Sequence, residues 1–232
     1  MMNYYTKTIK TALLTAGLCA LLGGTLSAAS NDKPIDLTAD TVEYNGQSGM
    51  VTASGNVTML QDGAKITGAQ AEYNAKTQAG TVTGGVVADK DDMHMTADTV
   101  KTAGANHMVA TGNVVAVKAD KTLTGPMVDY YSDQNYVVVP SNAKVVMADG
   151  TMTADKLEAY LTENHLIGTG NVHILSQTRN MEAFGNQADY YGQDQGKVIL
   201  TGNALAIQDN NTIKSNRLTL YLADNGQAKA SE

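Results

Sequence analysis

Ile35 to Tyr73 reads IDLTADTVEYNGQSGMVTASGNVTMLQDGAKITGAQAEY, and its alternation decides the fold class. From Val51 to Met59 the odd positions, Val51, Ala53, Gly55, Val57 and Met59, are apolar or small, and the even positions are polar. A period of two is the mark of a strand with one face in a core and one in water. The segment from Leu37 carries a phase change. Leu37 and Ala39 share one parity, whereas Val42 and Tyr44 share the other. A one-residue slip turns a strand over, so a bulge or corner at the Ala39-Asp40 pair is needed to keep these apolar residues on one side.

Outward from this stretch, both elements recur about every 29 residues. The first returns around Gly84-Gly85, Gly112-Asn113, Ser141-Asn142, Gly170-Asn171 and Gly202-Asn203. The second returns from Ile66, Met95, Leu123 and Met152, and more loosely from Met181 and Ile213. Such a period signals stacked supersecondary units, none able to bury its apolar face alone. A glycine at the same place in successive strands predicts a bend at one level of the sheet. Asn45-Gly46, Asp62-Gly63 and Asp149-Gly150 are tight-turn signals, as are the polar clusters at 103–106, 132–135, 192–195 and 209–211. The expected architecture is all-β and antiparallel, with six to seven two-stranded repeats giving roughly 13 to 14 strands, more if corners split them. No segment of the chain after residue 29 has a helical period.

Residues 1–29 read as a signal peptide: Lys7 and Lys10, an apolar run from Thr11 to Leu26, then the small residues Ser27-Ala28-Ala29. The competing reading is an uncleaved anchor, which the shortness of the run and its glycines disfavour. Cys19, the single cysteine, follows bulky Leu18 where lipidation requires a small residue, and it leaves with the signal. The expected folded domain is 30–223, and 224–232 reads as a polar tail. Removing Lys7 and Lys10 from the 16 basic residues leaves 14 against 23 acidic ones, a formal net charge of −9. That balance excludes nucleic acid as a partner, because phosphate binding draws on Lys and Arg.

Catalytic chemistry finds no foothold. The four histidines, His94, His107, His165 and His173, lack ligand spacing, and no nucleophile motif or cysteine pair is present, so no catalytic residue, metal or cofactor is assigned. Asp40, Asp98 and Asp155 recur at one repeat position and read as solvated bulge residues rather than as a carboxylate pair. Asp89, Asp91 and Asp92 read as a charged turn. There is no tryptophan and one phenylalanine, so the core is built from Val, Ile, Leu, Met and Ala. Met59, Met108, Met127, Met147 and Met152 fall at or near inward parity, which fits either core filling or an adaptable apolar lining.

The order and repetition of these motifs, best carried by Ile35 to Tyr73 and extending over about residues 34 to 222, resemble the OstA/LptA family of lipopolysaccharide-transport proteins. The resemblance implies an open, twisted β-jelly roll that shields lipid A acyl chains. It also implies a periplasmic bridge from an inner-membrane export complex to an outer-membrane translocon, joined through edge strands and able to stack end to end. The lining it implies is Val57, Met59, Val86, Met108, Val114, Val145, Val172 and Ile174, with Gly84, Ala110, Gly112, Ala143 and Ala204 making room. Shielding matters because a twelve-carbon chain in water costs on the order of 9 kcal/mol. Two other readings stand beside it: an inner-membrane-tethered component of the same pathway, and a β-solenoid adhesin or polysaccharide-active protein. The tight-turn signals disfavour the solenoid, since two-residue turns join antiparallel strands.

Overall fold

The computed structural model describes residues 36–61, 63–77, 79–103, 106–148, 150–192, 196–222 and 229–230. The signal segment, Asp62, Asp149, Gly104-Ala105, Gln193 to Gln195 and most of the tail lie outside the described residues. The described chain is almost wholly strand; its helical content is one 3-10 turn at Leu161–Glu163. Two compact units are resolved. One runs to Ala119 and takes in Asp129–Gln134; the other takes in Asp120–Val128 and continues from Asn135.

In the first unit β3 (Met50–Gln61), β4 (Ala64–Asn74), β5 (Ala79–Lys90), β6 (Met93–Thr102) and β7 (His107–Lys118) form an antiparallel meander. β1 (Asp36–Thr38) and β2 (Thr41–Asn45) both pair with β3, as two halves of one strand broken at Ala39-Asp40. β8 (Lys121–Tyr131) has its residues up to Val128 in the second unit, where its first residues pair with β10 (Ala143–Met147). β10 pairs with β11 (Gly150–Ala154), and β9 (Tyr136–Val139) pairs with β12 (Lys156–Tyr160). β11 and β12 both pair with β13 (His165–Ser176). The antiparallel order then continues through β14 (Met181–Tyr191), β15 (Lys197–Gln208), β16 (Asn211–Tyr221) and the two-residue β17 (Lys229–Ala230). Breaks at Ala39-Asp40, Pro140 to Asn142 and Asp155 split three of the repeat elements in two. Each unit thus has the all-β, open antiparallel jelly-roll architecture expected of its repeats.

The bend has a local cause. Ala53 pairs with Ala71 and Val57 with Gly68, so four steps on β3 meet three on β4 and one residue must bulge from β3. The same slip recurs opposite β5, β7, β13 and β15, always on the strand carrying the Gly-Asn or Gly-Gly pair. Gly55 and Asn56 have φ of 76° and 49°, and Gly170 and Asn171 have 77° and 46°. Glycine enters the left-handed region without a Cβ clash, and asparagine is among the few other residues that tolerate it. The odd spacing of the even-numbered strands and the glycines of their neighbours are therefore two halves of one device.

Glycine at this corner has a second role. A Cβ on Gly55 would lie 2.2 Å from Asp40 Oδ2, and one on Gly170 2.4 Å from Asp155 Oδ2. Asp40 N–H donates to Gly55 O at 2.8 Å, and Asn56 Nδ2 donates to the Asp40 carboxylate at 3.0 Å. Asp155 and Asn171 repeat the arrangement, at 2.8 Å for both bonds. Asp40 and Asp155 are bulge clasps.

Candidate lipid-binding interior

The inward face of each unit is a set of cross-strand rows. In the first unit Ala53, Ala71, Val82, Val100 and Ala110 pair in succession across β3 to β7. Beyond the corner, Met59, Ile66, Ala88, Met95 and Ala116 do the same. In the second unit one arm carries Leu123, Val145, Met152, Ile174, Ala183, Ala206 and Ile213. The other carries Val139, Leu157, Gly168, Ala188, Leu200 and Leu218. Each large aliphatic side chain buried in these rows stabilises the fold by roughly 1.5–3 kcal/mol, whereas Ile213, at the end of its row, is 40% exposed.

All eight residues expected to line a lipid are buried, the least so being Ile174 at 7%. Val57, Met59, Val86, Met108 and Val114 belong to the first unit, and Val145, Val172 and Ile174 to the second. Val145 and Ile174 share one row through Met152. Sequence parity did not rank Leu157, Leu200 and Leu218, which are fully buried, nor Ile66 and Met95, which are 1% exposed. Their inward parity was readable, but each lies on an even-numbered strand or next to its corner, where the phase changes. Met127 departs from expectation. It is half-buried with parity opposite to Val128 and Tyr130, because the phase has already flipped after Pro126. The glycines also differ from their expected role. Gly84 is exposed, and the space at Gly84 and Gly112 is taken by Ala69 and Asp98, so it serves the corner rather than a ligand.

The outward face is polar and paired. A concavity of about 410 Å³ on the first unit is lined chiefly by Thr41, Glu43, Thr52, Ser54, Gln70, Glu72, Thr81 and Thr83. Hydroxyls and carboxylates at that density do not suit a hydrocarbon. Each histidine meets a carboxylate: His94 with Asp89 at 2.6 Å, His107 with Asp129 at 3.0 Å, His165 with Asp189 at 3.3 Å and His173 with Glu182 at 2.8 Å. Three of the rings also stack on an aromatic neighbour, His107 on Tyr131 and His165 on Tyr191 at 4.5 Å and His173 on Phe184 at 4.6 Å. No group of three metal-ligating side chains occurs among the described residues.

Titration follows burial and pairing. Burial pushes the Tyr73 and Tyr130 hydroxyls up. Tyr136 is pushed up by burial first and then by the Glu158 carboxylate, to which it donates a hydrogen bond. That bond is the main reason that Glu158 is held below the usual carboxylate range, with Lys156 at 3.0 Å adding to it.

Residues 102–226, more than half of the chain, match the family described as LptA/(LptD N-terminal domain) LPS transport protein. The chain belongs to that family of lipopolysaccharide-transport proteins. Among solved structures it is similar to LptH, the LptA homologous periplasmic component of the conserved lipopolysaccharide transport device from Pseudomonas aeruginosa. The identity is 18%, over 62% of this chain and 96% of that one, with a TM-score of 0.36. No curated protein matches the chain. Within this family of transport proteins the inward rows, rather than the polar faces, are the candidate site.

Proposed function

We propose that this protein is a periplasmic, non-enzymatic bridge that binds lipopolysaccharide by shielding its acyl chains between the inward rows. The observation that carries the proposal is the pairing of family membership with a lining of Val, Ala, Met and Leu repeated along successive strands. Methionine lets such a lining adapt to chains of differing position, because the thioether is unbranched and polarizable. The polar head stays in water while the hydrocarbon is covered. The protein is exported by a cleaved leader over 1–29 and meets its inner-membrane and outer-membrane partners, or a second copy of itself, by strand addition at its edges. β1 and β2 suit that role, since they pair only with β3 among the described residues and leave Tyr44 54% exposed.

Photocrosslinking in intact cells tests the proposal, with the photoreactive residue at Val114 and a control at outward-facing Thr58. Lipopolysaccharide adducts at Val114 and not at Thr58 are the expected result. Absence of adducts at both positions in an exported, folded protein would refute the groove.

A further inference from the structure

Leu222 stands one residue beyond β16, yet it is only 9% exposed. It borders a cavity of about 20 Å³ whose other walls include Met147, Met152, Ile174, Met181 and Val198. These walls come from both arms of the second unit, folded towards each other by the corners. Two bonds hold the residue there. Its N–H donates to Gly196 O, and its carbonyl accepts from the Arg179 guanidinium. Arg179 lies in the turn between β13 and β14, whereas Gly196 precedes β15 at the other end of the strands. The Arg179–Leu222 bond therefore crosses the side on which the two arms meet. Met181 also borders a wider recess of about 120 Å³, with Ala206, Ile213 and Leu220 as its apolar floor and Arg179 on its rim.

A leucine side chain is a short branched hydrocarbon, and this one reaches a methionine-rich wall from just past the end of β16. We infer that Leu222 stands in for lipid: the second unit holds an acyl-chain subsite that Leu222 plugs and that opens towards the Met181 recess when the Arg179–Leu222 bond is released. The hydrocarbon end enters and the polar end stays at the rim beside the guanidinium. The choice of an acyl chain rests on the transport reading above; the plug and its clasp rest on the geometry of the second unit. A binding-competent form that is only partly populated weakens apparent affinity by its fraction, so removing the plug strengthens binding.

The test is uptake of cis-parinaric acid, a single-chain fluorescent fatty acid, by the full chain in stopped flow. Leu222→Ala removes the plug while leaving the carbonyl. Arg179→Gln weakens the clasp without touching the core, and Arg179→Lys retains a cationic donor. Expected are about fivefold faster and tighter uptake in L222A and R179Q and a smaller gain in R179K. R179Q should also speed amide exchange at Leu222. Equal uptake by wild type, L222A and R179Q overturns the plug, and if Val114 still crosslinks to lipopolysaccharide the transport reading survives. Gains in both variants without a Val114 adduct support the subsite and count against the transport reading. No uptake by any variant overturns the subsite.

Discussion

The inward residues at two strand edges meet opposite fates. At β2 in the first unit, Val42 is half-buried and Tyr44 is 54% exposed, although both share the inward parity of the buried Ala53 and Val51 opposite them. At the end of β16 that β17 covers, in the second unit, Leu218 is 0% exposed and Leu220 3%, whereas Ile213 at its other end is 40% exposed. Both strands have a long neighbour on one side. The difference lies on the other side, where β17 pairs with β16 at Leu218 and Thr219 and Leu222 folds in beneath the strand end. An inward-facing apolar residue at an edge stays dry only when further chain covers it, and an uncovered one is a place for another chain to add.

The largest effect that would break this comparison is in the core of β16. Leu218→Ala should destabilise the protein by about 2–4 kcal/mol, read as a lower urea midpoint. Tyr44→Ala, the equivalent deletion at the open edge, should stay within roughly 0.5 kcal/mol. Similar losses from both would mean that the two edges are equally covered.

The corners offer the next contrast. Gly170→Ala puts a Cβ against Asp155, which sits between β11 and β12, strands held in turn by β10 and β9, and should cost roughly 2 kcal/mol or more. Gly55→Ala meets Asp40, which sits between the two short edge strands and can give way, so the loss should be smaller. Urea midpoints of the two variants check the order.

pH separates the units more finely. Glu158 and Tyr136 belong to the second unit, and Tyr73 and Tyr130 to the first. Glu158 is held below its ordinary 4.5 in the fold, so its contribution is present above that value and is lost as pH falls through the folded value. Glu158→Gln should flatten the acid limb of the stability profile below about pH 4.5, with little change at neutrality. The tyrosines have the opposite sign. They are raised in the fold, so their contribution is complete below their ordinary value of 10.0 and declines as pH rises through the folded values. Tyr73→Phe should make the alkaline limb shallower, measured by thermal unfolding between neutral pH and strong alkali. That is the smallest of these effects.

Much of the fold was legible because parity is local. The alternation around Val57, Val86 and Val114 and its equivalents around Val172 and Ala204 put the right residues inside, and the slip in the second element announced a corner at Ala39-Asp40, where β1 and β2 divide. The resemblance named the family through the same motifs. Less legible were residues whose setting depends on a neighbour far along the chain. Gly84 and Gly112 read as room for a ligand, but the room belongs to Ala69 and Asp98 across the corner. Met127 falls near inward parity by simple alternation, but the phase change at Pro126 turns it to the other face. The four histidines lack any shared spacing in sequence, whereas the fold brings a carboxylate to each, five to 24 residues away.

The sequence by itself determined the strands, their faces and the level at which they bend, because side-chain direction and left-handed backbone at Gly-Asn follow from a few adjacent residues. Only the tertiary structure decided what covers each face. Tyr44 and Leu222 occupy inward positions at the ends of their strands; one is left in water and the other lies behind the Arg179 bond among methionines. Burial depends on what lies across from a residue, and that is set by pairings far apart in the chain.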